Sequence, residues 1–283
     1  MVPVVEVKGA RIPAIGLGTM TLKGDVCVEA VSAALKMGYR HIDTAVFYGN
    51  EAEVGEGIRK SGVARDEIFL TTKVRHTDLA PGDFETSVEN SLKRLDLPYV
   101  DLLLIHWPSP ELPLTDYILR LCEAKRKGQA KHIGVANFNL AMIDEVMRLS
   151  SEPIVNLQTE FHPYINPVKV LAGCKQRGVV LTGYCPLGRG GLIGDPVLVE
   201  IARTRRRTAA QIALRWSVQN GAVPLPRSSN PGRIAENLAI FDFELTADEM
   251  ARRGVELIDS TTFTQDSMAP EGVLTRARPT RRR

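Results

Sequence analysis

A chain of 283 residues, 44% of them hydrophobic, is long enough for two small domains or one large α/β barrel, with ample apolar content for a core. Five arginines lie between Arg276 and Arg283, and without them the formal charge of +3 becomes −2, so the body is close to neutral and no nucleic-acid partner is expected. The start shows no basic, apolar, small-residue leader and no apolar run reaches bilayer length, so a soluble, cytoplasmic protein without membrane contact is expected.

In chain order, residues 4–7 and 11–14 flank Lys8-Gly9-Ala10 and predict a short hairpin. Strand-like runs follow at 15–17, 39–43, 68–73, 100–106, 132–136, 155–160, 179–184 and 222–226. Between them lie amphipathic helical patterns at 25–37, 51–60, 83–95, 140–149, 168–177 and 208–219. Strands alternating with helices imply right-handed βαβ units around a parallel sheet, and eight such units close into a (β/α)8 TIM barrel of about this length. No linker composition precedes Ser260. One barrel domain over 1–259 is expected, followed by a C-terminal segment, 260–283, with a partly disordered basic tail. Cys27, Cys122, Cys174 and Cys185 form no CxxC or Cys/His cluster and read as reduced, mostly buried small residues.

The chemistry sits at the strand ends. Asp43 ends one run with Tyr48 just beyond it, Lys73 ends the next, and His106 ends the third. In a parallel barrel these all lie at the face where active sites are built. Each alone has a bland reading: a packing tyrosine, a structural Lys/Asp ion pair, a core histidine. Placed together on consecutive strands, they read as catalytic. A phenol with pKa ~10 is a sluggish acid at neutral pH, and a lysine beside it stabilises the phenolate, each unit of depression being roughly 1.4 kcal/mol. Gly16-Leu17-Gly18 imitates a dinucleotide fingerprint ahead of Asp43, but Thr21 stands where the third glycine belongs and the helix begins too late, near Asp25.

Several stretches resemble the aldo-keto reductase superfamily: Gly16-Leu17-Gly18-Thr19, the run from Asp43 to Glu51, Thr72-Lys73, Leu104-Ile105-His106-Trp107-Pro108, Ala136-Asn137-Phe138 and the region from Pro226 to Asn237. With His106-Trp107-Pro108-Ser109-Pro110 and Ala269-Pro270-Glu271-Gly272, the bacterial 2,5-diketo-D-gluconate reductase branch is the most similar. The resemblance implies a (β/α)8 barrel, usually metal-free and monomeric, that reduces aldehydes or ketones with NADPH. It implies Tyr48 as proton donor, Lys73 and Asp43 as its partners, and His106 orienting the substrate oxygen. It further implies Asn137 and Gln158 on the nicotinamide carboxamide and Tyr184 stacked on the ring. Leu187, Arg227, Ser228, Arg233, Glu236 and Asn237 complete the cofactor set, with Glu236 and Asn237 at the adenine. Three departures bear on that set: Ala136 and Cys185 replace common serines, and Arg227 replaces a common lysine. Arginine keeps the charge and changes the geometry.

Met20, Phe47 and Trp107 supply apolar substrate walls by the same resemblance; Arg75 either puts a cation at the rim, suiting a small-molecule carbonyl that bears a carboxylate or hydroxyls, or extends into water or pairs with an acid such as Asp78. Two readings from other classes stand beside this one: a non-catalytic, reductase-like nucleotide-binding regulator, and a barrel enzyme using Lys73 as a Schiff base.

Overall fold

The computed structural model describes residues 2–165 and 168–252, so the C-terminal segment expected over 260–283 lies outside the described residues. Lys8 and Gly9 both take left-handed backbone angles, φ 43° and 84°, and close a two-residue turn between antiparallel β1 (Val4–Val7) and β2 (Ala10–Pro13). The Lys8 ammonium then donates to the carbonyls of Ile154 and Arg177 at 3.1 and 2.9 Å, tying the hairpin to the rest of the molecule.

Eight parallel strands follow in sequence order: β3 (Leu17–Gly18), β4 (His41–Asp43), β5 (Phe69–Val74), β6 (Val100–Ile105), β7 (Ala130–Ala136), β8 (Ile154–Glu160), β9 (Val180–Tyr184) and β10 (Val223–Pro224). Backbone bonds from Gly16 N to Pro224 O, 3.1 Å, and from Gly18 N to Pro226 O, 3.0 Å, join the first strand to the last and close the barrel. Prolines serve this seam because only their carbonyls are needed there. The glycines serve it by being small. A Cβ at Gly16 would come within 2.7 Å of Leu225 Cδ2 and 2.9 Å of the His41 ring. Gly16-Leu17-Gly18 is therefore a barrel seam.

The helices are α1 (Gly24–Met37), α2 (Glu51–Ser61), α3 (Asp83–Leu95), α4 (Leu114–Arg126), α5 (Leu140–Leu149), α6 (Val168–Arg177), α7 (Pro196–Arg205), α8 (Ala209–Gln219), α9 (Pro231–Leu238) and α10 (Ala247–Ala251). Strand alternation divides the core. Ile42, Leu70, Leu103, Ile133, Leu157 and Leu181 face the helices, while Phe69, Leu102, Leu104, Val180 and Val223 fill the barrel with Ala10 and Ile12 of the hairpin against them. Each fully buried Leu or Ile contributes roughly 1.5–3 kcal/mol relative to exposure. Polar groups, His41, Thr71, Asp43 and Lys73 among them, occupy the rest of the barrel interior.

Candidate active site

On β4 and β5 the inward positions alternate with core positions, which brings Thr71 Oγ1 to His41 Nε2 at 3.1 Å and, one layer higher, Lys73 to Asp43. Lys73 is fully buried, and each of its three N–H bonds has an acceptor: Asp43 Oδ1 at 2.6 Å, Thr44 O at 2.8 Å and Tyr48 Oη at 3.3 Å. Tyr48 arrives from a short 3-10 turn, Val46–Tyr48, that follows β4 directly and ends at Gly49 with φ 57°. The Lys23 ammonium holds that end by donating to the carbonyls of Tyr48 and Gly49. His106 follows β6 and sets its ring edge-on to Tyr48, with centroids 5.8 Å apart. The four residues expected to act together are thus brought together.

Burial governs their protonation. It pushes the Asp43 carboxyl up and the Lys73 ammonium down, and each charge opposes the shift of the other. His106 is held well below the usual imidazole range by burial, then by the Lys73 ammonium and the nearby His76 and Arg75 side chains, so it is neutral at physiological pH. Tyr48 departs from the sequence expectation. Burial, reinforced by Asp43 and Cys185, raises its pKa well above that of a free phenol.

Among the residues expected at the cofactor, Asn137 takes a left-handed φ of 65° after β7; its Nδ2 donates to His106 O at 2.9 Å and its Oδ1 accepts from Tyr184 Oη at 2.8 Å. Gln158, on β8, donates from Nε2 to Asp43 Oδ2 at 2.8 Å. A second group gathers at the start of α9. Asn230 caps the helix by accepting from Arg233 N, Ser228 Oγ accepts from Asn230 N, and the Arg227 and Arg233 side chains are exposed. Arg227 also donates to Thr21 Oγ1 at 2.6 Å, reaching across the barrel seam. Glu236 accepts from Thr208 Oγ1 at 2.7 Å, and Asn237 is buried. Leu187 lies half-buried against the outer core at the start of a 3-10 turn, Gly188–Gly190.

Met20 and Phe47 are exposed apolar side chains, and Trp107 is half-buried beside His106. The Phe47 ring lies edge-on to His106 at 6.2 Å, and the Arg75 guanidinium stands 5.2 Å over the centre of the same ring. Phe47 and Arg75 therefore do border the histidine.

Sequence reasoning passed over the layer beneath Tyr48. Asn50 is fully buried; its Oδ1 accepts from Thr44 Oγ1, and its Nδ2 donates to the carbonyls of Thr19 and Leu22. The buried carboxylate of Glu51 accepts from Thr72 Oγ1 at 2.5 Å and from both Nε and an Nη of Arg94 at 2.8 and 2.6 Å. The signal was an Asn-Glu pair at a helix start, polar residues with no reason to be exposed beside a strand end. Among the described residues no cluster of His, Cys, Asp or Glu is arranged to hold a metal, and no helix is long and apolar enough to cross a membrane.

Residues 14–253 match the model of the aldo/keto reductase family. Over 242 residues the chain is 46% identical to an aldo-keto reductase of Mycolicibacterium vanbaalenii, covering 85% of this chain and 86% of that protein. It is 41% identical over 244 residues to a glyoxal reductase of Bacillus subtilis, covering 86% and 88% of the two. Its fold matches that of a candidate 2,5-diketo-D-gluconic acid reductase B with a TM-score of 0.87 and 45% identity, covering 89% of this chain and 90% of the other. With its closed (β/α)8 barrel and a fold and sequence shared with these proteins over most of their length, the chain belongs to the aldo/keto reductase family, oxidoreductases that use nicotinamide cofactors in carbonyl chemistry on small molecules.

Proposed function

We propose that this protein is an NADPH-dependent reductase of aldehydes or ketones in which Tyr48 is the general acid. The observation that carries the reading is the position of Lys73 Nζ, buried between Asp43 Oδ1 at 2.6 Å and Tyr48 Oη at 3.3 Å with the His106 ring alongside. The donor set also suits the cofactor. Asn137 and Gln158 offer amides complementary to a carboxamide, Tyr184 offers a ring face, and Arg227 and Arg233 put two guanidinium groups at a helix start, where backbone N–H groups and positive charge favour phosphate. Such a cofactor supplies a hydride for the carbonyl carbon, which leaves the protein to bind, orient and protonate.

An acid must hold its proton until the oxygen demands it. Burial keeps Tyr48 neutral at rest, which is the form able to donate. When the proton leaves, the phenolate oxygen faces an ammonium at hydrogen-bond distance, and Asp43 keeps that ammonium in place. Neutral His106 retains one ring N–H, which can donate to the carbonyl oxygen and fix its orientation without competing for the proton. A Schiff base at Lys73 would require freeing a nitrogen whose three N–H bonds are all engaged, one of them by a carboxylate. Arg227 and Arg233 favour NADPH over NADH, since the added 2′-phosphate gives them a charged partner. A panel of aldehydes, α-keto esters and keto sugars tests the reading, followed by the loss of NADPH or NADH absorbance. Failure of every carbonyl to consume NADPH would remove the assignment.

A further inference from the structure

We propose that Gln158 is a positioning residue for the Asp43–Lys73 pair, its amide fixing one carboxylate oxygen of Asp43 so that the other stays aimed at Lys73. This goes beyond the contact with a nicotinamide carboxamide that the family resemblance implies, and it rests on the reductase reading given above. The argument starts from how the two oxygens of Asp43 are occupied. Oδ1 accepts from Lys73 Nζ at 2.6 Å, from the adjacent strand β5. Oδ2 accepts from Gln158 Nε2 at 2.8 Å, from β8, four strands away and therefore on the opposite side of an eight-stranded ring. The bond spans 115 positions of sequence and crosses the barrel, and both side chains are buried.

A carboxylate held at one oxygen can turn about its terminal bond; held at both, from opposite sides, it cannot. Removing Gln158 leaves a buried oxygen without its donor, so the carboxylate either rotates away from Lys73 or binds a proton, and both outcomes loosen the ammonium that faces Tyr48. The primary amide of Gln158 has a second N–H and a carbonyl oxygen, so one hydrogen on Asp43 still leaves groups for a carboxamide. Among the described residues, the other ionisable groups around this cluster include His41 on β4, Glu51 at the start of α2, His106 after β6, Tyr184 at the end of β9 and Cys185 just after it. None of them donates a hydrogen bond to Asp43 Oδ2, which leaves the neutral amide of Gln158 in that place.

The test uses Gln158→Met, which keeps the length of the side chain and removes both donors, and Gln158→Asn, whose amide stops short of Asp43. In the cofactor-free protein, urea unfolding of Gln158→Met, Asp43→Asn and the double variant should be non-additive, because the two changes remove one shared bond. At saturating NADPH, the acid limb of the kcat profile should move up by about one to two pH units in both Gln158 variants, the scale of a lost charge-assisted hydrogen bond. Additive unfolding free energies together with an unmoved acid limb, and only weaker NADPH binding by fluorescence titration, would reduce Gln158 to a cofactor contact. Should Gln158→Met fail to fold, the pH profile of Gln158→Asn decides in the same way. A wild-type protein inert toward every carbonyl would sink the reductase reading and leave the unfolding cycle as the separate judge of Gln158.

Discussion

In the proposed mechanism Tyr48 keeps its proton because it is buried and releases it because Lys73 is close. Tyr48→Phe keeps the ring and removes only the donor, so NADPH should bind as in wild type while turnover falls at least ~100-fold. A single-turnover rate within a few-fold of wild type would take Tyr48 out of the mechanism. Arg227 makes its argument through charge and reach. If it meets a 2′-phosphate, Arg227→Ala should raise the NADPH dissociation constant more than tenfold, the equivalent of roughly 1.5–3 kcal/mol, and leave NADH nearly untouched. Equal weakening toward both cofactors would show that the residue serves the seam through its bond to Thr21 instead. At this scale the sequence disclosed Asp43, Lys73 and His106 because each ends an apolar run, a purely local pattern. It could not disclose that Gln158 reaches Asp43, or that Arg94 clamps Glu51, since those pairings depend on which way side chains point across the barrel or between helices. The direction of the Tyr48 shift was hidden for a related reason: desolvation is set by burial, which neighbours in sequence do not report.

The elements differ in how openly they announce themselves. β5, β6 and β8 are long, β-rich runs bounded by turn residues, and the structure places them within a residue or two of the expected bounds. β3 and β10 are only two residues each, because glycine and proline dominate the seam and leave few ladder bonds to define a strand. α7 has a clear start, Asp195 capping Leu198 N with Pro196 following, yet its arginine-rich end from Arg203 onward masks the apolar stripe of Leu198, Ile201 and Ala202. Packing between α2 and α3 depends on one small residue. A Cβ at Gly55 would stand 2.1 Å from Leu95 O, a backbone atom that cannot swing aside. Gly55→Ala gains helix propensity, but the clash should dominate and cost at least ~2 kcal/mol, read as a fall of several degrees in Tm. A variant as stable as wild type would mean that α3 moves freely against α2.

For the molecule as a whole, a buried histidine ties stability to acid. His41 lies fully inside the barrel, where burial and the Lys73 charge bring its pKa down to about 3. Between that value and the ordinary imidazole pKa near 6.5, the unfolded chain binds a proton that the folded chain refuses. The contribution is complete above pH ~6.5 and is lost as pH falls, at up to about 1.4 kcal/mol per unit. His41→Gln should therefore flatten the decline of the urea midpoint between neutral and mildly acidic pH. Parallel declines in the two proteins would assign the acid sensitivity elsewhere. The seam where Gly16 and Gly18 meet Pro224 and Pro226 has a consequence of a different kind. As the chain leaves the ribosome, Asp43, Tyr48, Lys73 and His106 are all made well before the last strand that completes the ring they stand in. Until residue 226 has emerged, the bonds that join β3 to the last strand cannot form, and loop closure across some two hundred residues still has to be met. The final stitch that shapes the mouth of the site can thus form only late in synthesis, after every one of those four residues has been made.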